Sequence, residues 1–314
     1  MTVPGRVAGN PGTVLTTMRN RLTVLLLVMA TATGWGARPA AAIANGQDAA
    51  PGDYRFSVML TMTGLPAEDG GTRDSSCSGA LVAPRWVITA GHCFRDADGR
   101  KVSRTVAERT TAVIGRADLT GDDGYQAEVI AVHQAEDTDV ALAELGTAIT
   151  GITPIRLATT APARGEVLRL TGFGLITGDS GYTAPTRMQT GLFTVDAVGD
   201  TLIDASGHAP RPDTSPCPHD SGGPYFREED GTPVLVAVVS TGPGCPHPGP
   251  DFSARVDTLA GWVTATTSGR SAWPGWQTAV LAMLGVLAVL AVLAVLGVVA
   301  WRRRKMLHLD HIRR

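Results

Sequence analysis

Short β-rich runs separated by Gly, Asp and Pro recur through the central part of the chain, and this pattern constrains the fold more than any other feature. In the first half the runs are residues 56–62, 80–82, 86–89, 111–114, 127–133 and 140–145. Residues 165–256 continue the same β character. Many short strands with regular turn signals predict an all-β barrel or sandwich.

A short helix is predicted directly after the last β-rich run. Leu259, Trp262 and Val263 follow a helical spacing within residues 257–267. Residues 268–277 are then expected to form a linker.

The first 42 residues are predicted to be an export signal. Arg19 and Arg21 precede an apolar run at residues 22–30, and Ala40-Ala41-Ala42 satisfies the small-x-small cleavage rule. The run is too short to span a bilayer, which takes about 20 apolar residues. Either Met1 or Met18 could be the start.

A second hydrophobic segment lies near the carboxyl end. Residues 278–300 carry no charge and would extend about 34 Å as a helix, which is enough to cross the hydrocarbon core. Tryptophans flank the segment, as at a membrane interface. Residues 302–305 are basic, and basic residues beside a membrane span favour the cytoplasmic side. We therefore expect a transmembrane helix at 278–301 and a cytoplasmic tail at 302–314.

Charge and cysteine usage limit the function classes. The net charge of −2 argues against a nucleic-acid partner. Four cysteines between two hydrophobic segments predict two disulfides in an oxidising compartment, with three pairings open. The sequence contains no Cys-x-x-Cys or His-x-x-x-His spacing that would indicate a metal site, and it implies no cofactor. Abundant Ala, Gly, Val and Arg are typical of a GC-rich bacterium.

Three motifs carry residue types suited to nucleophilic catalysis. Residues 217–224 read Cys-Pro-His-Asp-Ser-Gly-Gly-Pro, in which turn residues hold out the hydroxyl of Ser221. Alone, such a stretch is as well explained by an ordinary loop. Residues 86–93 contain His92, however, and Asp139 opens a third motif at residues 139–142.

A serine hydroxyl is a weak nucleophile and needs a neighbouring base, here His92. The base needs an acceptor on its other ring nitrogen, and Asp139 suits this role. Asp137 would share a face with Asp139 on a strand, so spacing does not exclude it. The other histidines between the two hydrophobic segments lack such context and are expected at the surface: His133, His208 and His247.

The three motifs, in this order and spacing, resemble those of the trypsin/chymotrypsin-like serine proteases over roughly residues 43–267. The resemblance implies two six-stranded antiparallel β-barrels with a crossing near residues 154–164, followed by the C-terminal helix. It selects Asp139 over Asp137. It also implies the pairings Cys77–Cys93 and Cys217–Cys245.

The resemblance assigns further roles. The oxyanion hole would use the backbone N–H groups of Ser221 and His219, where the family normally has glycine. A side chain at positive φ is strained there, so either the loop reorients when substrate binds or the enzyme is slow, because losing one donor costs roughly 10²–10³ in rate. A new amino group at Ile43 would pair with Asp220, so that signal cleavage and activation coincide.

Specificity is assigned in the same way. Ser215 corresponds to the base of the primary pocket, and Ser240 and Gly242 to one wall, with Thr241 in place of the usual tryptophan. Asp251 corresponds to the far wall. If it points inward, the pocket favours Arg or Lys before the scissile bond; otherwise Asp251 lies in a solvated turn.

Together these features predict an exported, membrane-anchored serine endopeptidase of the bacterial type that acts on proteins or peptides outside the cell. The alternative is a weakly active or non-catalytic binding module of the same fold, disabled by His219. The sequence indicates no oligomeric state.

Overall fold

The computed structural model describes residues 1–2, 5, 43–67, 70–178 and 181–269, and, within 283–298, residues 283–287, 289–290, 292–293 and 296–298. The predicted signal at residues 1–42 lies almost entirely outside these ranges. So do most of the predicted linker, much of the predicted membrane span and the whole basic tail.

A two-residue strand, β1 (Gln47–Asp48), precedes a closed six-stranded antiparallel barrel. The barrel strands are β2 (Ser57–Pro66), β3 (Thr72–Ala83), β4 (Trp86–Ala90), β5 (Arg109–Ile114), β6 (Tyr125–Gln134) and β7 (Val140–Leu145). They pair in the order β2-β3-β4-β7-β6-β5, and β5 returns to β2. Closure leaves this sheet without a free edge.

A short strand, β8 (Arg156–Leu157), lies in the predicted crossing and leads to a second antiparallel barrel. The strands that follow are β9 (Val167–Gly172), β10 (Ile176–Gly178), β11 (Gly181–Thr183), β12 (Gln189–Val198), β13 (Leu202–Ala209), β14 (Pro224–Glu229), β15 (Thr232–Thr241) and β16 (Pro250–Arg255). Six of them close in the order β9-β12-β13-β16-β15-β14. β10 and β11 form a separate hairpin, and β1 pairs with β12.

Apolar side chains fill each barrel and the space between the two. Leu60, Leu81 and Ile114 are fully buried in the first barrel, and Phe193 is fully buried in the second. A third cluster draws on both halves, including Phe56, Ile88 and Leu142 from the first and Phe226 and Val256 from the second. This shared core holds the barrels together, so residues from both can form one site.

The predicted closing helix is confirmed in its main part. A 3-10 turn at Asp257–Leu259 leads into α1 (Ala260–Thr267), and Val263 is buried in the shared core. The described residues between 283 and 298 are helical, and their large apolar side chains are exposed. Within the described ranges, no helix is long and apolar enough to cross a membrane.

The prediction of two six-stranded antiparallel barrels is confirmed. Five of the six β-rich runs of the first half lie within the strands β3 to β7, and the run at 56–62 begins one residue before β2. Both disulfides are formed, and they join Cys77 to Cys93 and Cys217 to Cys245 as the resemblance implied.

Candidate active site

A 3-10 helix at Gly91–Phe94 carries His92 out of the first barrel, directly after β4. The disulfide from Cys93 to Cys77 fixes this turn to β3. A Cβ at Gly91 would lie 2.5 Å from the Gln134 side-chain oxygen, so a larger residue there would displace that side chain. The position of His92 is thus set by two neighbouring strands.

Asp139 immediately precedes β7 and contacts His92 twice. Its Oδ2 lies 2.6 Å from His92 Nδ1, and its Oδ1 accepts the His92 backbone N–H at 2.8 Å. Ser240 Oγ donates a further hydrogen bond to Oδ2 at 2.7 Å. Asp137 is exposed and makes no such contact. Of the two aspartates that spacing left open, it is Asp139 that the fold brings to His92.

These partners keep Asp139 ionised despite its partial burial. Burial opposes the charged form, but the hydrogen bonds and charge of His92 and the hydrogen bond from Ser240 outweigh it. The pKa of Asp139 therefore lies below its ordinary value. A carboxylate in this position stabilises a protonated imidazole.

Ser221 lies on the loop between β13 and β14, and its Oγ is 2.8 Å from His92 Nε2. The Ser221 carbonyl accepts the Ser78 backbone N–H from β3. Gly222 has φ +81°, and a Cβ there would come within 2.1 Å of the Thr89 hydroxyl. Only glycine allows the nucleophile loop to approach the first barrel this closely.

His219 adopts the backbone conformation that glycine normally takes at this position. Its φ is +80°, which costs a non-glycine residue on the order of 1–3 kcal/mol unless the surroundings hold it. Ser76 Oγ lies 2.6 Å from His219 Nδ1, and Ser78 Oγ donates to the His219 carbonyl at 3.1 Å. Burial, and secondarily the charge of Arg73, lower the pKa of the His219 imidazole.

Neither the His219 nor the Ser221 backbone N–H donates a hydrogen bond to another described residue. Two free N–H groups on one tight loop beside a nucleophile are suited to binding an oxyanion. The His219 side chain also contacts Ser76 on β3, which ties this loop to the first barrel.

Asp220 is fully buried and points away from the nucleophile. Its carboxylate accepts backbone N–H groups from Gly174 at 2.7 Å and Cys217 at 2.8 Å. Burial raises the pKa of Asp220 to about 7, although these two hydrogen bonds oppose the change. A Cβ at Gly174 would lie 2.3 Å from the carboxylate.

Residues 43–46 are already seated in the second barrel. Ile43 is fully buried, and Ala44 exchanges two backbone hydrogen bonds with Ser215. No ion pair joins Ile43 to Asp220 in the described part of the uncut chain. A peptide nitrogen carries no charge with which to make one.

Beside Ser221 is a cavity of about 210 Å³. Ser240 and Gly242 lie along one side of it, and Asp251 lies in its wall. Asp251 is only 3% exposed, so it does not occupy a solvated turn. Ser215 is fully buried outside the lining, where its hydroxyl accepts the His247 backbone N–H at 3.2 Å.

His247 departs from the sequence expectation. The sequence predicts a surface residue, but His247 is 8% exposed and its Nε2 lies 3.3 Å from Asp251 Oδ1. His133 and His208 are exposed, as expected. In the sequence, the only sign of this environment is that His247 lies two residues after Cys245 and four before Asp251. This spacing does not by itself indicate burial.

A second, more open cleft of about 530 Å³ lies on the other side of Ser240. His92, Asp139 and Thr241 are among the residues that line it. Thr241 is smaller than the tryptophan typical of the family, so the cleft beside the triad residues is wide.

Known proteins with similar sequences are serine proteases. Human chymotrypsin-like elastase family member 3B is 29% identical, with 79% of this chain and 98% of the relative covered. Trypsin-1 of Astacus astacus is 26% identical, with 71% and 99% covered. Human transmembrane protease serine 5 is 28% identical over 79% of this chain, which spans 57% of that relative's length.

Comparison with solved structures and with family models agrees with the fold. A mouse brain neuropsin structure aligns with a TM-score of 0.56 and 20% identity, over 71% of this chain and 98% of its own. That likeness concerns the fold alone. The family model for trypsin matches residues 43–263, which is well over half of the sequence. This chain therefore belongs to the trypsin family.

Proposed function

We propose that the protein is a serine endopeptidase that hydrolyses peptide bonds through Ser221, His92 and Asp139. The observation that carries the proposal is the continuous chain of contacts from Asp139 through His92 to Ser221, at 2.6 and 2.8 Å. A serine held this way beside a base and an orienting carboxylate is suited to acyl transfer.

In the proposed mechanism, His92 Nε2 removes the Ser221 proton as Oγ attacks the substrate carbonyl. Asp139 stabilises the resulting imidazolium, and the N–H groups of His219 and Ser221 receive the oxyanion. His92 then gives the proton to the leaving amine, which leaves an acyl-enzyme. Water enters, passes a proton to His92 and attacks the ester, and Ser221 recovers its proton as the acid departs.

The two cavities support cleavage within a peptide chain. The 210 Å³ cavity receives the side chain before the scissile bond, and the cleft past Ser240 receives the residues that precede it. Because Asp251 lies in the wall of the first cavity, we propose a preference for Arg or Lys at that position. A buried carboxylate needs a cation or a proton as partner.

The cellular location is proposed from the sequence. The apolar run before Ala42 supports export, and the uncharged segment at 278–301 with its basic flank supports a single-span anchor. The catalytic domain would then face outward and residues 302–314 the cytoplasm. Membrane attachment and an extracellular protein or peptide substrate are both part of this proposal.

A fluorophosphonate probe, which reacts with activated serines, tests the activity. Processed full-length protein should be labelled, and Ser221→Ala should abolish labelling. Ser75→Ala is a matched control, because Ser75 lies on β3 with no side-chain partner among the described residues and should leave labelling intact. If folded, processed protein is not labelled, the proposed peptidase function is wrong and the binding-module alternative is favoured.

The binding-module alternative rests on one observation, the side chain of His219 on the oxyanion loop. Its backbone nevertheless has the φ that glycine would take, and its N–H is free. These two facts favour the enzyme.

A further inference from the structure

His247 is built into the wall behind the pocket. Its backbone N–H is hydrogen-bonded to Ser215, and its loop is fastened to the nucleophile loop by the disulfide from Cys245 to Cys217. The imidazole is buried beside Asp251, which lines the cavity. A titratable pair thus lies where a substrate side chain would enter.

The two ring nitrogens of His247 both face oxygen acceptors. Nδ1 lies 3.2 Å from the Pro248 carbonyl, and Nε2 lies 3.3 Å from Asp251 Oδ1. A neutral imidazole has only one N–H, and the Pro248 carbonyl can only accept. Both contacts are hydrogen bonds only when a further proton lies between Nε2 and Oδ1. Whether it resides on nitrogen or oxygen, the pair with that proton has no net charge.

The surroundings of the pair are short of positive charge. Asp251 Oδ2 has no hydrogen-bond partner within the described residues. Among the described residues, the other titratable groups that interact with Asp251 are Asp220 and Tyr225, and neither supplies a cation. Burial raises the pKa of Asp251, and His247 opposes that change. An incoming ammonium or guanidinium group could supply the missing charge.

We propose that His247 is a specificity-determining residue that shares one proton with Asp251 and so sets the charge of the pocket. With the proton in place, the pocket is neutral and accepts uncharged side chains. When the proton leaves to solvent, one negative charge remains and Arg or Lys is preferred. This inference rests on the proposed peptidase function, since it concerns the substrate that the same site selects.

The test uses two peptide substrates that differ only before the scissile bond, one with arginine and one with citrulline, its uncharged analogue. The ratio of their kcat/KM values is measured on processed full-length protein from pH 5 to pH 9. Both substrates would react through the same triad, so any effect of pH on the chemical step cancels in the ratio. We expect the arginine-to-citrulline ratio to rise by at least about tenfold with pH.

Variants assign the effect to the pair. Asp251→Asn should give a low ratio that is independent of pH. His247→Gln keeps an N–H donor but has no proton to share, so the pH at which the ratio rises should differ from that of the unmodified protein. His208→Gln, at an exposed histidine, should match the unmodified protein.

A pH-independent ratio in an active enzyme would overturn this inference while leaving the peptidase function intact. So would a His247→Gln profile identical to that of the unmodified protein. If the unmodified protein shows neither turnover nor probe labelling, the proposed function itself is wrong. The pH dependence of the arginine-to-citrulline ratio is measured on the unmodified protein. The test therefore remains valid even if one of the variants does not fold.

Discussion

The imidazole of His219 is held from the side by Ser76, a residue of the first barrel. Their contact joins the nucleophile loop to β3 across the boundary between the barrels. The positive φ of His219 is maintained by this contact and by the hydrogen bond from Ser78. At the residue scale, the side chain that departs from the family pattern has become a support for the loop.

Removing that support should slow catalysis selectively. Ser76→Ala leaves His219 Nδ1 without its partner, so the loop should spend more time with its N–H misdirected. We expect kcat to fall about 3- to 30-fold with KM nearly unchanged, because oxyanion contacts act mainly in the transition state. Steady-state kinetics on a peptide ester would measure both constants.

Ser75→Ala on the same strand serves as the control and should behave like the unmodified protein. His219→Gly with Ser76 intact shows whether the His219 side chain supports the oxyanion loop or impairs it. If His219→Gly is faster than the unmodified protein, the side chain impairs the loop and the supporting role is wrong.

The sequence predicted the residues of the candidate triad, because each lies within a distinctive local motif. It could not predict the environment of His247 or the support of His219. Ser76 is 143 residues from His219, and Ser215 is 32 residues from His247. Such contacts arise only when distant strands are brought together, so no local pattern marks them.

At the scale of elements, two aromatic rings connect the barrels. Phe56, just before β2, and Phe226, on β14, meet edge to face with centroids 5.2 Å apart. Tyr54 packs against Phe226 as well, at 5.4 Å. These rings belong to or pack against the shared core, so their packing helps to hold the two barrels together.

Phe226→Ala should therefore weaken the whole fold. We expect the free energy of unfolding to drop by about 3–5 kcal/mol, the usual cost of removing a buried phenyl ring. Urea denaturation followed by intrinsic fluorescence would measure it. Phe252→Ala, at a ring that is 37% exposed on β16, should cost far less. Equal losses for the two variants would contradict a central role for Phe226.

The sequence predicts the longer strands, whose apolar residues alternate or form a continuous run. It does not predict the shortest strands, which form only because they pair with a neighbouring strand. β1 and β8 contain two residues each, and β10 and β11 three. Segments this short carry no periodicity. They exist because β12, β15 or the adjacent hairpin strand offers free backbone groups.

At the scale of the whole molecule, the buried carboxylate of Asp220 links folding to processing. In the uncut chain its raised pKa means that the folded state keeps a proton that the unfolded state loses between about pH 4 and pH 7. Stability must then fall as the pH rises through that window, by up to about 4 kcal/mol. A free amino group at Ile43 would remove this penalty by pairing with the ionised carboxylate.

We therefore expect exported protein to begin at Ile43, as determined by terminal sequencing. Ala42→Phe breaks the small-residue cleavage rule and should leave an uncut chain. Urea unfolding at pH 5 and pH 8 should show a marked loss of stability at the higher pH for the uncut chain, and a much smaller loss for the processed one. Adding Asp220→Asn to the uncut chain should reduce the difference to that of the processed protein.

A mature protein that begins upstream of Ile43 and gains activity only after a second cut would contradict this scheme. So would an uncut chain whose stability is the same at both pH values.

The bridge between Cys217 and Cys245 has a consequence for the safety of the cell that makes the protein. It fastens the nucleophile loop to the loop that carries His247, so the pocket is complete only once the bridge has closed. A reducing cytoplasm prevents that closure. On the proposed route, a newly made chain also still has Ala42 attached to Ile43. If the protein is exported as proposed, bridge closure and the release of Ile43 would both occur only on passage out of the cytoplasm, so the cell that makes the enzyme would be protected twice over.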